Sequence, residues 1–313
     1  MADRMQFTGG PFGTVAADQA ALVPADISGQ VFYVNANATG ADDVGDPWPE
    51  VDNVRCFSTL QGAIDACVDN RGDTIYVKKG GEAVTTQVNF NCPGIRVISQ
   101  RFGIPPSSRG EYNSLYSTTL TTTDMALITS PCYIEGFAFA GANAETGFYA
   151  GGALRIGNSS DNVFGVHLKQ CRFPKWGLDN SHGITIDGTA AVSNVLIEEC
   201  EFEGAFDAGI YMQGALGHLQ VKNCTFCLCT YAIESGAYSD AGVNTQLIIG
   251  PGNITVQPTR GINTGSNAAK VAVVGNYWGA PVATAYDQTV DNMESDGWPC
   301  SGNYYSDEER DDE

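Results

Sequence analysis

Val163–Phe173 reads VFGVHLKQCRF, Val192–Phe202 reads VSNVLIEECEF and Leu216–Phe226 reads LGHLQVKNCTF. Stacked as eleven-residue windows, they share an apolar residue at position four (Val166, Val195, Leu219) and at position six (Leu168, Ile197, Val221). Position nine is Cys171, Cys200 and Cys224, and position eleven is Phe173, Phe202 and Phe226. The pattern extends in both directions. Windows starting at 92 and 129 read CPGIRVISQRF and TSPCYIEGFAF, and those at 244 and 268 read NTQLIIGPGNI and AAKVAVVGNYW. Their eleventh residues are Phe102, Phe139, Ile254 and Trp278.

A second short element follows several windows: ALRIG at 153, GITIDG at 183, GIYMQG at 209, AIESG at 232 and GINTG at 261. Alternating runs of this kind are strands with one face in and one face out. The windows are spaced by 37, 34, 29, 24, 28 and 24 residues. Repetition on this scale marks a solenoid, and the shorter spacings fall below the roughly 40 residues of a propeller blade. Period-two alternation with glycine and β-branched residues excludes helical repeats. A coil of two or three short strands fits a parallel β-helix, in which like residues stack about 4.8 Å apart. The cysteines and phenylalanines then form internal ladders. Position seven points outward and alternates in sign through Glu135, Lys169, Glu198 and Lys222. Opposite charges on neighbouring strands attract, so this order supports the register. Position ten sets Arg172 against Glu201 in the same way.

The chain has 313 residues and a formal charge of −20, with 37 glycines and only 17% charged residues. Such acidity excludes a nucleic-acid backbone as partner, because phosphates need a basic patch. No apolar run is long enough for a membrane span. The opening residues lead into no apolar core, so a secretory signal is not expected. The ten cysteines are then expected to stay reduced, as small buried apolar groups. The sequons at Asn37, Asn158, Asn223 and Asn253 are read as accidental for the same reason.

Residues 1–30 fit no repeat and contain no lysine. They are read as an arm for anchoring or oligomerisation, with Met5, Phe7, Phe12, Leu22 and Val23 as its apolar contacts. The β-helix is expected over 31–280, with insertions at about 103–128 and 140–162 where the coil swells. Phe57, Leu60, Ile64, Cys67 and Val68 form a helical stripe, so a capping helix is expected over about 57–69, with Ser58 and Gln61 as a capping box. Residues 281–313 are read as a C-terminal cap with an acidic tail.

The block FYVNANATGADD at 32, FSTLQGAIDAC at 57 and GDTIYVKKG at 72 resembles the opening of right-handed parallel β-helix proteins of the pectate-lyase-like superfamily. Asn-Tyr-Trp-Gly at 276–279 also resembles a β-helix turn. The resemblance spans about 31–280 and implies an all-β fold: a single-stranded, right-handed parallel β-helix solenoid with an N-terminal capping helix and an extended arm. Gly80-Gly81-Glu82 departs from the Pro-Gly-Thr-Tyr of many relatives. Members include polysaccharide lyases, hydrolases and β-helix virion proteins of tailed phages, so the fold does not choose the function.

The second element presents an outward column of Arg155, Thr185, Tyr211, Glu234 and Asn263, where side chains with catalytic chemistry are expected. A glycoside hydrolase needs two carboxylates. Asp187 and Glu234 are the best pair, about 9–10 Å apart by strand spacing, with Tyr211 able to stack on a sugar and Arg155 nearby. The competing reading is two exposed acids on an acidic protein. A lyase needs an acidic cation cluster and a Lys or Arg base; Arg155, Lys169, Arg172 and Lys175 are the basic candidates, without an acidic triplet beside them. Cys224, Cys227 and Cys229 resemble a metal pattern, but Cys224 belongs to the internal ladder, so no metal site is assigned. His167 and His182 have no partner at a triad spacing. Trp176 and Tyr211 are candidates for a glycan platform, against the competing reading that scattered surface aromatics are normal. No cofactor fingerprint occurs.

The favoured expectation is therefore a non-enzymatic structural virion protein of a tailed phage, a capsid decoration or a fibre or spike. The arm anchors it to the major capsid protein or to tail proteins, and the resemblance suggests a homotrimer. It would assemble in the host cytoplasm and reside in the virion. The alternative is a polysaccharide-degrading tailspike, or a non-catalytic module for host-surface glycan.

Overall fold

The computed structural model describes residues 29–35, 55–78, 81–99, 113–116, 124–140, 153–174, 182–204, 207–235, 246–256, 260–263, 270–278, 300–301 and 304–305. All strand pairings among them are parallel. The chain is an all-β solenoid whose described strands stack, coil on coil, along three faces.

The first face carries Val88–Phe90, Ala126–Ile128, Leu154–Ile156, the first part of His182–Glu198, Ala208–Leu216, Tyr231–Ser235 and Arg260–Asn263. The second runs from Val31–Val34 through Thr74–Val77, Ile95–Ser99, Cys132–Glu135 and Val163–Lys169 to the later part of His182–Glu198. It continues through His218–Lys222, Gln246–Ile249 and Lys270–Val274 to Cys300–Ser301. These two faces form one 17-stranded sheet, joined where His182–Glu198 passes through both. The third face is a nine-stranded sheet from Gly81–Ala83 to Tyr304–Tyr305.

The windows set the second face. Ile95, Cys132, Val166, Val195, Leu219, Leu247 and Val271 are successive register partners, and all those with described side chains are buried. The corner from the second to the third face needs one residue with a left-handed backbone, and position eight supplies it as Gln170, Glu199 and Asn223, with φ of 50°, 55° and 53°. Beyond the corner, Phe139, Phe173, Phe202 and Phe226 stack inside the third face, with successive centroids 5.4, 4.8 and 4.7 Å apart.

The window at 244 departs from the expected column, and the window at 268 rejoins it. Phe226 pairs with Thr255, not Ile254, and Thr255 pairs with Trp278. Thr255 is buried, while Ile254 is 43% exposed. The cause is one extra residue in the corner: four residues lie between Val221 and Phe226, whereas five lie between its partner Ile249 and Thr255.

The thiol column changes chemistry at the same place. Cys171, Cys200 and Cys224 are buried, and their Sγ atoms donate to carbonyls of Ile134, Leu168 and Ile197 one coil away. Asn253 and Asn276 take over in the next two coils. The Asn253 amide donates to the Val221 carbonyl at 3.0 Å, the Asn276 amide to that of Ile249 at 3.0 Å, and the two amides bond each other at 2.9 Å. Weak S–H donors thus give way to amides that satisfy the same corner carbonyls. Asn253 is 1% exposed, so this sequon is buried.

The N-terminal helix is Leu60–Asp65, shorter than the expected 57–69, and its N-cap is Thr59 rather than Ser58. Thr59 Oγ1 accepts from the Gly62 N–H at 3.2 Å, and the Glu82 carboxylate accepts from the Leu60 N–H at 3.0 Å. Gln61 bonds instead to Asp65 and to the Asn89 N–H. The helix stops early because the buried Asp73 carboxylate accepts from the Val68 N–H at 2.8 Å, which leaves Val68 49% exposed. Leu60, Ala63 and Ile64 pack onto the core.

Met5, Phe7, Phe12, Leu22 and Val23, the residues expected to anchor the chain, lie outside the described residues, as do Phe102, Lys175, Trp176 and most of the two insertions. So does most of 281–313, although Cys300–Ser301 and Tyr304–Tyr305 within it continue two of the faces.

Candidate functional site

The outward column of the first face is Leu127, Arg155, Thr185, Tyr211 and Glu234, in unbroken register, and the backbone of Asn263 is level with Glu234 in the next coil. Two polar groups sit on this face. In the first, Arg155 lies between two acids: Nε donates to Asp124 and Nη1 to Asp187, the latter at 3.0 Å. Burial lowers the guanidinium pKa, but the hydrogen bonds and charges of Asp124 and Asp187 outweigh it and raise the value above its ordinary one. Arg155 therefore stays charged, as a clasp across coils.

The second group contains Glu234. One ligand-capable atom each from His182, Asp207 and Glu234 falls within 4.8 Å of the others, and all three residues are half-buried. The three arrive from successive coils. His182 is level with Ala208, and Ala208 with Tyr231. Asp207 immediately precedes Ala208, and Glu234 is level with Tyr211. The His182 ring stacks on Tyr211 with centroids 4.2 Å apart and planes at 11°. Burial, followed by the charges of Glu234 and Asp207, raises the Tyr211 phenol pKa.

The register thus places Asp187 and Glu234 in different groups. Asp187 is level with Gln213, whereas Glu234 is level with Tyr211 and hence with Thr185, two coils back. Two rungs and a two-residue offset along the strand combine to about 12 Å between backbone positions, wider than strand spacing alone implies. Tyr211 sits beside Glu234 and His182, and Arg155 beside Asp187.

On the second face Glu198 is a hub. It receives Lys222 at 2.8 Å, His167 Nε2 at 2.9 Å and Lys169 at 3.5 Å. Burial pushes its carboxyl up, but the hydrogen bonds from Lys222 and His167 prevail and hold it below the ordinary range. His167 also meets Tyr133 edge-on at 4.9 Å, and Tyr133 donates to Glu135 at 2.6 Å. On the third face Arg172 binds both Glu201 and Glu203.

His167 and His182 therefore have acid neighbours that sequence spacing hides, because the partners are one or two coils away. Glu198 is 31 residues from His167. The overlooked signal was the repeat alignment itself, which puts His167 at position five and Glu198 at position seven of the next window. Asp207 could not be reached in that way, since it lies in a corner between aligned segments.

Cys56, Cys67, Cys92, Cys132, Cys171, Cys200, Cys224, Cys227 and Cys229 are free thiols. Cys224 and Cys229 are buried, and Cys224 Sγ is directed at the Ile197 and Lys222 carbonyls. Burial raises the Cys171 and Cys200 thiols far above their ordinary value. Burial and the nearby Asp73 push Cys67 up to about 12. Among the described residues, no helix is long and apolar enough to cross a membrane.

Compared with family models, with curated proteins and with solved structures, the chain matches none.

Proposed function

We propose that this chain is a structural component of a tailed-phage particle, a head decoration or a fibre or spike, whose β-helix is a rigid, non-catalytic body. The observation that carries this reading is where the charged side chains go. Lys169, Lys222 and His167 close on Glu198, Arg172 on Glu201 and Glu203, and Arg155 on Asp124 and Asp187. Each of these contacts ties one coil to another. Charges placed in this way brace a stack against bending and shear. Assignment to a virion rests on the sequence resemblance and on the arm before the first strand. In this reading Met5, Phe7, Phe12, Leu22 and Val23 seat the arm on a major capsid or tail protein, and the chain acts as a homotrimer assembled in the host cytoplasm.

Deletion of residues 1–30 tests it. Incorporation into particles is expected to be lost while the far-ultraviolet circular dichroism of the remaining chain keeps its β signature. Normal incorporation would sink the reading.

A second reading, contact with host-surface glycan, is favoured by Tyr211 lying flat on His182 beside Glu234 and Asp207. Aromatic faces next to carboxylates suit sugar rings and their hydroxyls. If this face also cuts glycan, Asp187→Asn or Glu234→Gln abolishes turnover in a folded protein. Unchanged turnover in both excludes this pair.

A further inference from the structure

The geometry of the first face points to an additional site. We infer that His182, Asp207 and Glu234 hold one divalent first-row metal ion, such as Mn²⁺ or Zn²⁺, through an imidazole nitrogen and two carboxylate oxygens. Each contributes a donor atom within 4.8 Å of the other two, a spread that one ion at the centre can span. An imidazole with two carboxylates suits borderline first-row ions, whereas Ca²⁺ and Mg²⁺ prefer all-oxygen shells. Three protein ligands leave further coordination positions for water or a ligand hydroxyl.

The site is built rather than incidental. Its histidine and glutamate stand on paired strands of one sheet, with the strand of Tyr211 between them, so their backbones are fixed by the ladder. The Tyr211 ring lies against the imidazole at 4.2 Å and sets the plane in which its nitrogens point. Two carboxylates brought this close repel each other unless a cation lies between them. A protonated His182 would relieve the repulsion with one charge, and a metal ion does so with two. The inference does not depend on whether the face serves a structural body or contacts glycan.

The test is a Mn²⁺ titration of the full-length chain, with free Mn²⁺ read by electron paramagnetic resonance. Mn²⁺ is chosen because thiols, plentiful in this protein, favour softer ions. The wild type is expected to bind one Mn²⁺ per chain, displaced by Zn²⁺. His182→Ala and Glu234→Gln should each weaken binding at least about tenfold, a loss as large as removing outer-shell support. Asp207→Asn changes a single atom at a corner and should give the same loss without disturbing the ring stack. Glu198→Gln, on another face, should leave binding intact. No stoichiometric Mn²⁺ in the wild type, or equal binding by folded His182→Ala, Asp207→Asn and Glu234→Gln, would overturn the inference and leave an ion pair in its place.

Discussion

Phe202 and Phe226 lie one coil apart with ring centroids separated by 4.7 Å and planes inclined by only 3°. With Phe173 on the other side at 4.8 Å, Phe202 is an interior rung of a buried stack. Face-to-face contact at this distance follows from strand spacing, because parallel strands deliver the same side chain to the same place in every coil. Phe202→Ala removes contacts to both neighbours, and the rigid coils above and below cannot close the gap. A loss of about 3–5 kcal/mol is expected. Phe202→Leu should cost less. Denaturant unfolding of the two variants measures the difference.

The stack has a counterpart across the interior. A Cβ placed on Gly209 would lie 2.7 Å from Phe226 Cδ1 and 2.8 Å from the Ala232 carbonyl oxygen. Gly183 meets Phe202 in the same way, at 2.8 Å. Glycine is needed here for its size. Gly209→Ala should therefore destabilise by about 1–3 kcal/mol through overpacking. Combining it with Phe226→Leu should recover part of the loss, a coupling that a double-mutant cycle reads directly.

The Glu198 hub makes stability depend on pH. Its folded carboxyl titrates below the ordinary value, so as pH falls the unfolded chain takes up this proton first. The contribution is complete above about pH 4.3, the ordinary glutamate value, and is lost as pH falls through the lower folded value. Asp73 adds in the same direction. Burial pushes its carboxyl up, but Arg71 and the Val68 and Gln30 amides hold it lower still. Melting temperature should fall with acidification across this window. In Glu198→Gln the fall should be shallower, with a lower plateau near neutral pH. Identical pH profiles for the two proteins would show that the hub contributes nothing.

How much of this was legible depends on what the repeat constrains. Positions four and six were readable because a one-residue slip would turn Val195 and Ile197 to solvent, so the pattern fixes the register. The phenylalanine column is readable except in the one coil where the corner before Asn253 gains a residue, because Ile254 is also apolar; Trp278 is back in the column. The helix was placed correctly but overextended, since nothing local to Val68 announces that Asp73 will take its N–H. The asparagine pair is not legible in the repeat, because a thiol and an amide share no sequence pattern although both address the same column of carbonyls. The His182 group was the least legible. Its members come from three coils, one of them from a corner outside every aligned window.

The central claim is that the braced β-helix is a rigid body held on a particle through its N-terminal arm. Cross-linking mass spectrometry of the native assembly tests it most directly. The arm has no lysine, so the reagent must couple carboxylates, through Asp3, Asp18 and Asp26. The account predicts links from these three residues to a shell protein or a tail protein, which would also separate head decoration from fibre or spike. Links confined to the chain itself or to its own copies would contradict anchoring and move the glycan-directed reading of the first face to the front.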